Sequence, residues 1–260
     1  MHSRDTASPG LLYGLYQRRL RAQINPAALP HHVAMIIDGN RRWAKLRDLE
    51  SAAHGHRAGA EKYREMVRAL LLSIGVITAL YLLSTDNLTS RSKDELEALF
   101  EIIGDLADEL SRFRNWRIKH VGAMTGLPES LQQELEAAEA RTAGNTGMHV
   151  NLAIGYGGRR EIVDAMHSIV RAHGLSGGTL DDLADVLTPE LIGEHLYTGG
   201  QPDPDLVIRT SGEQRLSDFM LWQAAHSEFS FVEALGPDMR EVDFLRAIRA
   251  YTLRDRRYGA

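Results

Sequence analysis

Two loops of this 260-residue chain place arginines and short polar side chains directly after apolar runs. In the first loop, Asp38, Gly39 and Asn40 follow the apolar run, and Arg41 and Arg42 come next. Arginine binds phosphate bidentately, and a helix amino terminus adds free backbone N–H groups. A phosphate would repel Asp38 unless a divalent cation lay between the two. The loop therefore predicts a phosphate site with a cation or, alternatively, a helix capped by Asp38 with solvated arginines.

The second loop repeats this arrangement over residues 208–217. It carries Arg209 and Arg215 together with the hydroxyl groups of Ser211 and Ser217. The alternative interpretation is an ion-paired turn that uses Glu213. Because two such loops occur in one chain, we expect two phosphorylated ligands or one long ligand.

A third loop follows another apolar run and holds Ser84, Thr85, Asp86 and Asn87, whose polar groups are able to orient a substrate. Residues of these types also simply form turns. Glu228 follows a helix predicted over residues 217–225 and is either a second metal ligand or a solvated carboxylate.

Short apolar runs alternate with amphipathic helical patterns, which indicates an α/β fold with a mostly parallel sheet covered by helices on both faces. We predict one domain over residues 31–260, preceded by a helical arm over residues 1–30. Ligands bind beyond the carboxyl ends of the strands in such sheets, where the three loops lie. The predicted strands cover residues 32–37, 76–83, 117–121, 148–154, 205–208 and 229–232. The predicted helices cover residues 11–24, 60–73, 93–112, 128–142, 159–173, 217–225 and 242–253. A further helix is predicted to begin near residue 41. Residues 45–59 and 84–92 are predicted loops.

The composition limits the class of protein. Hydrophobic residues make up 43% of the chain and charged residues 25%, as in soluble globular proteins. The net charge of −5 argues against a general nucleic-acid binder. The chain has no cysteine, which excludes disulfides and thiolate metal ligands. No apolar stretch reaches the roughly 20 residues of a spanning helix and no targeting segment is apparent, so we expect a cytoplasmic protein.

Two further motifs suggest other functions but fit them poorly. Residues 181–185 match the Asp-rich DDxxD pattern of the trans-prenyl synthases, yet that family is all-helical, and we interpret the motif as a charged helix start. Residues 155–159 read GxGG rather than G-x-G-x-x-G, so the dinucleotide-binding signal is weak.

The conjunction of these segments resembles one family. Residues 32–45 (HVAMIIDGNRRWAK) are similar to the signature of the cis-prenyltransferases, the undecaprenyl diphosphate synthase family. Residues 55–59, 143–147, 155–159, 205–223 and 256–259 are similar to its other blocks. The resemblance implies that family's α/β fold, which is neither a Rossmann fold nor the all-α fold. It also implies a Mg²⁺-dependent homodimer that condenses isopentenyl diphosphate with an allylic diphosphate and forms a cis double bond.

The resemblance implies roles for individual residues. Asp38 would hold Mg²⁺ with help from Glu228, and Asn87 would occupy the proton-accepting position. The other assigned residues divide among the allylic diphosphate, the reaction centre and isopentenyl diphosphate. The allylic diphosphate would be held by Gly39, Asn40, Arg41, Arg42 and His56, with Trp43 beside them. The reaction centre would be lined by Ser84, Thr85, Asp86 and Leu88. Isopentenyl diphosphate would be bound by Arg209, Arg215 and Ser217, with the neighbouring Leu216.

The chain departs from the family pattern at several of these positions. Arg41 stands where Gly is usual and Ala52 near a position where Arg is usual, so Arg41 is a candidate replacement for the lost charge. Asp86 and Leu88 replace a usual Glu and Trp, and Arg91 lies one place after a position where Arg is common.

Leu82 is the candidate chain-length residue, because long-chain members of the family have a small residue at its position. Each added isoprene buries about five carbons, worth about 3–4 kcal/mol, so elongation continues until the tunnel is blocked. With Leu88 and residues 196–204, Leu82 makes the chain similar to actinobacterial short-chain Z-isoprenyl diphosphate synthases. This implies one condensation onto geranyl diphosphate, giving (2Z,6E)-farnesyl diphosphate.

Three alternatives stay open: a longer-chain polyprenyl diphosphate synthase, a non-catalytic partner subunit, and a nucleotide-binding α/β module. Partner subunits typically lack key residues of the first loop, whereas Asp38, Asn40, Arg42 and Asn87 are all present. The amphipathic arm either contacts a membrane or a partner subunit, or packs on its own domain.

Overall fold

Six parallel strands form the centre of the molecule, in a computed structural model that describes residues 11–73 and 77–254. The predicted strand start at residue 76 and the motif at residues 256–259 lie outside the described residues. The strands are β1 (His32–Ile36), β2 (Ile77–Ser84), β3 (Arg117–Val121), β4 (His149–Tyr156), β5 (Leu206–Arg209) and β6 (Glu228–Phe231). Their order is β3-β4-β2-β1-β5-β6, and all neighbouring pairs are parallel, which confirms the predicted fold class.

Helices cover both faces of this sheet, as parallel strands with apolar side chains on both faces require. One layer contains Met66, Leu106, Leu131 and Phe244 from four different helices. The opposite layer contains Phe219 and small strand residues. The helices are α1 (Leu11–Ala22), α2 (Asn40–Leu46), α3 (Ala52–Ser73), α4 (Thr85–Ser90), α5 (Lys93–Ser111), α6 (Glu129–Thr142), α7 (Gly158–Leu175), α8 (Leu180–Val186), α9 (Pro189–His195) and α10 (Glu241–Thr252).

Two predicted loops are partly helical. The prediction of a loop over residues 45–59 is wrong in its second half, because α3 begins at Ala52 and includes Gly55 and His56. The prediction of a loop over residues 84–92 is also wrong in part, because α4 occupies most of it. Ser84 caps α4, its Oγ accepting a hydrogen bond from the Asn87 backbone N–H at 3.0 Å.

The predicted helix over residues 217–225 is wrong for a conformational reason. Ser217, Asp218 and Met220 have φ values of 49°, 63° and 47°, in the left-handed region that an α-helix excludes. Only a short 3-10 turn at Gln223–His226 forms there. Glu228 begins β6, two residues after this turn ends.

The amino-terminal helix α1 packs on its own domain. Leu20 is 3% exposed and lies against Val242 and Leu245 of α10. Arg21 adds an ion pair to Glu241 at the edge of this contact. Among the described residues, the structure contains no helix with the length and apolarity needed to span a bilayer.

Helices α2 and α3 meet at Gly55, and this contact yields a stability prediction. A Cβ atom on Gly55 would lie 2.0 Å from the backbone oxygen of Asn40, so any side chain there must push the first loop aside. We expect Gly55→Ala to destabilise the protein by about 1–3 kcal/mol, the usual range for overpacking. Urea unfolding measures this change.

The matched control is Gly14→Ala in α1, where a Cβ atom would meet nothing within 4 Å. The better helix propensity of alanine should there stabilise the protein by up to about 1 kcal/mol. Equal behaviour of the two variants would contradict the close packing at Gly55.

Candidate active site

A cavity of about 780 Å³ lies at the carboxyl ends of β1, β2 and β5. Its walls carry five arginines and three carboxylates, so the cavity is cationic in a chain whose net charge is −5. The charged side chains are Arg41, Arg42, Arg91, Arg209, Arg215, Asp38, Asp86 and Glu213. The other polar and glycine residues of the wall are Gly39, Asn40, His56, Ser84, Asn87 and Ser217.

An ion pair between Asp38 and Arg209 joins two strand ends of this cavity. Ile36 of β1 lies in register with Arg209 of β5, so the residues that follow β1 meet the end of β5. Asp38 Oδ2 accepts a hydrogen bond from Arg209 Nη2 at 2.7 Å, and Asp38 Oδ1 accepts one from the Gly39 N–H at 2.6 Å. The residue that caps α2 is Gly39, with φ 94°, so Asp38 is held by β5 rather than used as a helix cap.

Arg209 is a buried cation, with only 2% of its surface exposed. Its Nη1 donates to Ser217 Oγ at 2.7 Å and to the Arg215 carbonyl. In the described part of the chain, its Nε has no hydrogen-bond partner. A buried guanidinium with an unused donor beside a cavity suits an anionic ligand, because an unpaired buried donor costs about 1–3 kcal/mol.

Two more arginines of the cavity wall, Arg42 and Arg215, contact the same carboxylate, that of Glu213. Arg42 Nη2 lies 3.3 Å from Glu213 Oε1, and Arg215 pairs with the other oxygen of Glu213. The ion-paired turn considered from the sequence is therefore present. Both arginine side chains are more than half exposed, so these contacts are weak and open to exchange with an anion.

A second cluster of charged side chains lies where α3 and α5 face each other. Glu95 Oε1 accepts hydrogen bonds from Arg91 Nη1 at 2.5 Å and from His56 Nε2 at 2.9 Å, and Arg41 Nε lies 3.6 Å away. Burial lowers the pKa of His56, although its hydrogen bond to Glu95 opposes this. Burial would raise the pKa of Glu95, but the hydrogen bond from His56 and the charge of Arg91 hold it below its usual value. At neutral pH, Glu95 is thus an anion that balances cations at the cavity wall.

Apolar side chains also line the cavity. Leu82, Leu83 and Leu99 line it, and all three also contact the core layer that packs on α5. Ile36, Ile37 and Tyr81 also line the cavity, and Tyr81 Oη donates a hydrogen bond to the Ser217 carbonyl at 3.1 Å. A cavity lined by both arginines and apolar side chains fits a ligand that has a phosphorylated head and a hydrocarbon tail.

Comparison with known proteins agrees with this geometry. The sequence pattern of the putative undecaprenyl diphosphate synthase family matches residues 36–259. The chain belongs to the cis-prenyltransferase family. It is an enzyme of prenyl transfer, and its fold is that of undecaprenyl diphosphate synthases.

Relatives cover nearly the whole chain. A protein of Thermobifida fusca named (2Z,6E)-farnesyl diphosphate synthase is 51% identical over 249 residues, 95% of this chain and 97% of the relative. A crystal structure of lavandulyl diphosphate synthase from Lavandula x intermedia, in complex with dimethylallyl diphosphate, matches with a TM-score of 0.82 and 36% identity. It covers 90% of this chain and 100% of that one. A probable undecaprenyl diphosphate synthase from Campylobacter jejuni matches with a TM-score of 0.70 and 28% identity, over 89% of this chain and 99% of that one.

Most of the residues predicted from the cis-prenyltransferase resemblance line one cavity, but five do not. Trp43 points to the outer side of α2, where its Nε1 donates to Asp238 at 2.9 Å. Leu88 and Leu216 pack against the two core layers. Thr85 lies beside Gly157, where a Cβ atom would come within 2.7 Å of its Oγ1.

Glu228 is the fifth, and it is far from Asp38 within one chain. It is the first residue of β6 and lies in register with Leu206, whereas Arg209, three residues further along β5, pairs with Asp38. Its side chain forms an ion pair with Arg254 instead. A metal role for Glu228 stays a prediction, and the described chain does not bring its carboxylate to the cavity by itself.

The sequence did not assign a role to several residues of the cavity region, chiefly Arg91, Glu95, Tyr81 and Leu99. Arg91 carried a signal, since it lies one place from a position where the family has Arg. Glu95 carried none, because its spacing of 39 residues from His56 follows only from how α3 and α5 pack.

Proposed function

We propose that this enzyme adds one isopentenyl unit to geranyl diphosphate with cis geometry and releases (2Z,6E)-farnesyl diphosphate. The observation that carries the proposal is one cavity lined by both arginines and leucines. Its volume of about 780 Å³ lies within the roughly 300–1,000 Å³ of small-ligand sites, which favours a short product over a long polyprenyl chain. The name of the Thermobifida fusca relative supports the same product.

The two diphosphates divide between the two ends of the polar wall. We place the allylic diphosphate at the start of α2, against Asn40, Arg41, Arg42 and His56, because free N–H groups there favour an anion. The Glu95 carboxylate would then give up part of its contact with the cations around it to the incoming diphosphate.

Isopentenyl diphosphate is placed at Arg209, Arg215 and Ser217. Arg209 is fixed by hydrogen bonds to Ser217 and to the Arg215 carbonyl, and it keeps its Nε free of protein partners among the described residues. A guanidinium held in this way binds a phosphate without first losing side-chain entropy.

The donor set fits Mg²⁺. Mg²⁺ is usually held by one or two carboxylates together with substrate phosphates. Asp38 supplies one carboxylate at the cavity, with its side chain 39% exposed. Within the described residues, no cluster of three His, Asp or Glu side chains forms a complete metal site, so diphosphate oxygens would supply the other ligands. When bound, Mg²⁺ neutralises charge on the leaving diphosphate.

The chemistry follows from this placement. The allylic C–O bond ionises, and Arg41, Arg42 and His56 stabilise the negative charge that grows on the leaving diphosphate. The isopentenyl double bond then attacks the allylic carbon, and one proton leaves the new chain. We place Asn87 at the proton-accepting position. Because its neutral amide is a weak base, the released diphosphate is a second candidate for the proton acceptor.

The test incubates purified protein with Mg²⁺, labelled isopentenyl diphosphate, and either geranyl or farnesyl diphosphate, and then sizes the dephosphorylated products. We expect a C15 product from geranyl diphosphate that is not extended further. A ladder of long products would keep the family and reject the short-chain product. No incorporation with either primer would favour a non-catalytic partner subunit. The presence of Asp38, Asn40, Arg42 and Asn87 in the cavity wall argues against that alternative.

We also propose a homodimer. Strand β6 is the edge of the sheet, its rings Phe229 and Phe231 stack at 6.2 Å, and Phe231 is 38% exposed. A second copy of the chain would cover this apolar edge. Light scattering should therefore give twice the chain mass of 29.0 kDa, and a monomer mass would reject this assembly.

A cytoplasmic enzyme with at most peripheral membrane contact fits the outer face of α1. This face exposes Leu12 and Leu15, at 81% and 53%, near Arg18 and Arg19. Such a face suits the surface of an anionic bilayer. Sedimentation with anionic vesicles, compared for the wild type and Leu12→Ser/Leu15→Ser, tests this contact.

A further inference from the structure

A second cavity, of about 230 Å³, lies at the other end of the sheet from the active cavity. Its walls are Arg117, Lys119 and His149 from the amino ends of β3 and β4, together with loop residues 199–201. His149 and Tyr156 are the two ends of β4, about 23 Å apart at the usual rise per residue. Tyr156 lies in register with Ser84 of the active cavity, so the two cavities are separate.

The register of the strands brings the three basic side chains together. Arg117 is paired with His149, and Lys119 follows Arg117 by two residues, which places all three on one face of the sheet. Neighbouring strands are about 4.8 Å apart, so the three groups are close enough to contact one small ligand.

These groups have no anionic partner at contact distance. In residues 11–73 and 77–254, no carboxylate lies within ion-pair distance of Arg117, Lys119 or His149. Burial lowers the pKa of Lys119, and the charge of Arg117 adds to this, whereas the carboxylates of Glu139 and Glu161 oppose it. Burial, Arg117 and Lys119 all lower the pKa of His149. Arg117 and Lys119 therefore repel each other in the free protein, and an anion placed between them would relieve the repulsion and favour protonation of His149.

The cavity walls are fixed by hydrogen bonds. Lys119 Nζ donates to the Tyr197 carbonyl at 2.7 Å, which uses one of its three donors and leaves two. Asn151 and Gln201 exchange side-chain hydrogen bonds of 2.6 and 3.2 Å, which hold the loop over the sheet. The positions of Lys119 and of the loop at residue 201 are thus set before any ligand binds.

A protective role for charges on the edge strand does not explain this arrangement. Basic residues on edge strands commonly discourage pairing with another chain, and Arg117 on β3 is exposed as that role requires. Lys119 is only partly exposed, and His149 belongs to the interior strand β4. Both face the cavity rather than the open edge.

We propose that this second cavity binds a phosphate or diphosphate group. Its volume equals about eight water molecules, enough for such a group but not for a prenyl chain beside it. Arg117 supplies the bidentate donor that phosphate prefers, and Lys119 supplies a point charge. The group belongs either to a free inorganic anion or to the head of a prenyl diphosphate whose tail lies outside the cavity.

The test follows histidine ring resonances of the full-length protein by NMR during separate titrations with inorganic phosphate, inorganic diphosphate and geranyl diphosphate. His149→Gln assigns the signal of the second cavity, and His56 reports independently on the active cavity. We expect the His149 signal to move towards its protonated position. Movement with inorganic anions identifies a free anion, and movement with geranyl diphosphate alone identifies a prenyl diphosphate head.

Arg117→Gln is the decisive variant because this side chain is exposed and its loss should not affect folding. We expect it to weaken the His149 response about tenfold while the His56 response is unchanged. Lys119→Met should weaken the His149 response as well. A His149 signal that none of the three anions moves, or a response that Arg117→Gln leaves unchanged, overturns the proposal. Neither outcome affects the proposed function, since the product assay tests it separately and His56 reports binding at the active cavity.

Discussion

Replacing Asp38 by Asn is expected to lower kcat/KM by about 10³-fold, the effect of removing one group that stabilises charge in a transition state. Asparagine keeps one oxygen, which can accept a hydrogen bond from either the Gly39 N–H or Arg209 but not both, and it removes the carboxylate that would hold Mg²⁺ against the diphosphate. The measurement is steady-state condensation of isopentenyl and geranyl diphosphates over a range of Mg²⁺ concentrations. We expect the loss to be largest at low Mg²⁺.

The same substitution also affects stability, and a control separates the two effects. Breaking a buried ion pair costs about 3–5 kcal/mol, but the Asp38 side chain is 39% exposed, so we expect about 1–2 kcal/mol. Asp238→Asn is the matched control, since this carboxylate contacts Trp43 and Arg47 on the outer side of α2. It should leave kcat/KM unchanged. Asp38→Asn with less than a tenfold loss would contradict the role of this carboxylate.

Replacing Leu82 by Ala is expected to change the product from C15 to a series of longer chains. Leu82 lines the cavity together with Leu83 and Leu99, so we expect its truncation to open space beyond the C15 chain. Each isoprene unit that enters this space gains about 3–4 kcal/mol of burial, which is enough to drive further condensations. The measurement is the length of dephosphorylated products formed from geranyl diphosphate.

Leu88→Ala is the matched control for Leu82→Ala. It makes the same truncation six residues away, but Leu88 packs against the core rather than lining the cavity. We expect it to keep the C15 product and to lose some stability. If Leu82→Ala also stops at C15, the idea that Leu82 blocks the tunnel is wrong.

The position of the cavity could be predicted because it depends on where apolar runs end in the sequence. Apolar runs ending at residues 37, 83 and 208 become parallel strands, and parallel strands bring their carboxyl ends to one edge. Asp38, Ser84 and Arg209 follow directly from this rule, and the structure places all three in one cavity. The same rule explains why the fold class was predicted from the alternation of apolar runs and helices.

The directions of individual side chains were less predictable, because a helix can rotate about its axis without changing its sequence pattern. Trp43 lies one residue from Arg42, yet it faces the outer side of α2. Residues 217–222 have a helical pattern, but tertiary hydrogen bonds hold another conformation. The Gly158 N–H donates to the Asp218 carbonyl at 2.7 Å, and the Met220 N–H donates to Tyr156 Oη at 3.2 Å.

The sequence by itself therefore determined the α/β class, the family and the loops that line the cavity, since each depends on residues adjacent in the chain. Only the tertiary structure decided that Glu95 joins His56, Arg91 and Arg41, and that Glu228 begins a strand away from Asp38. It also decided that Arg117, Lys119 and His149 share one cavity. These contacts join residues that are distant in the chain. They are determined by strand register and helix packing, which depend on how the whole core is buried.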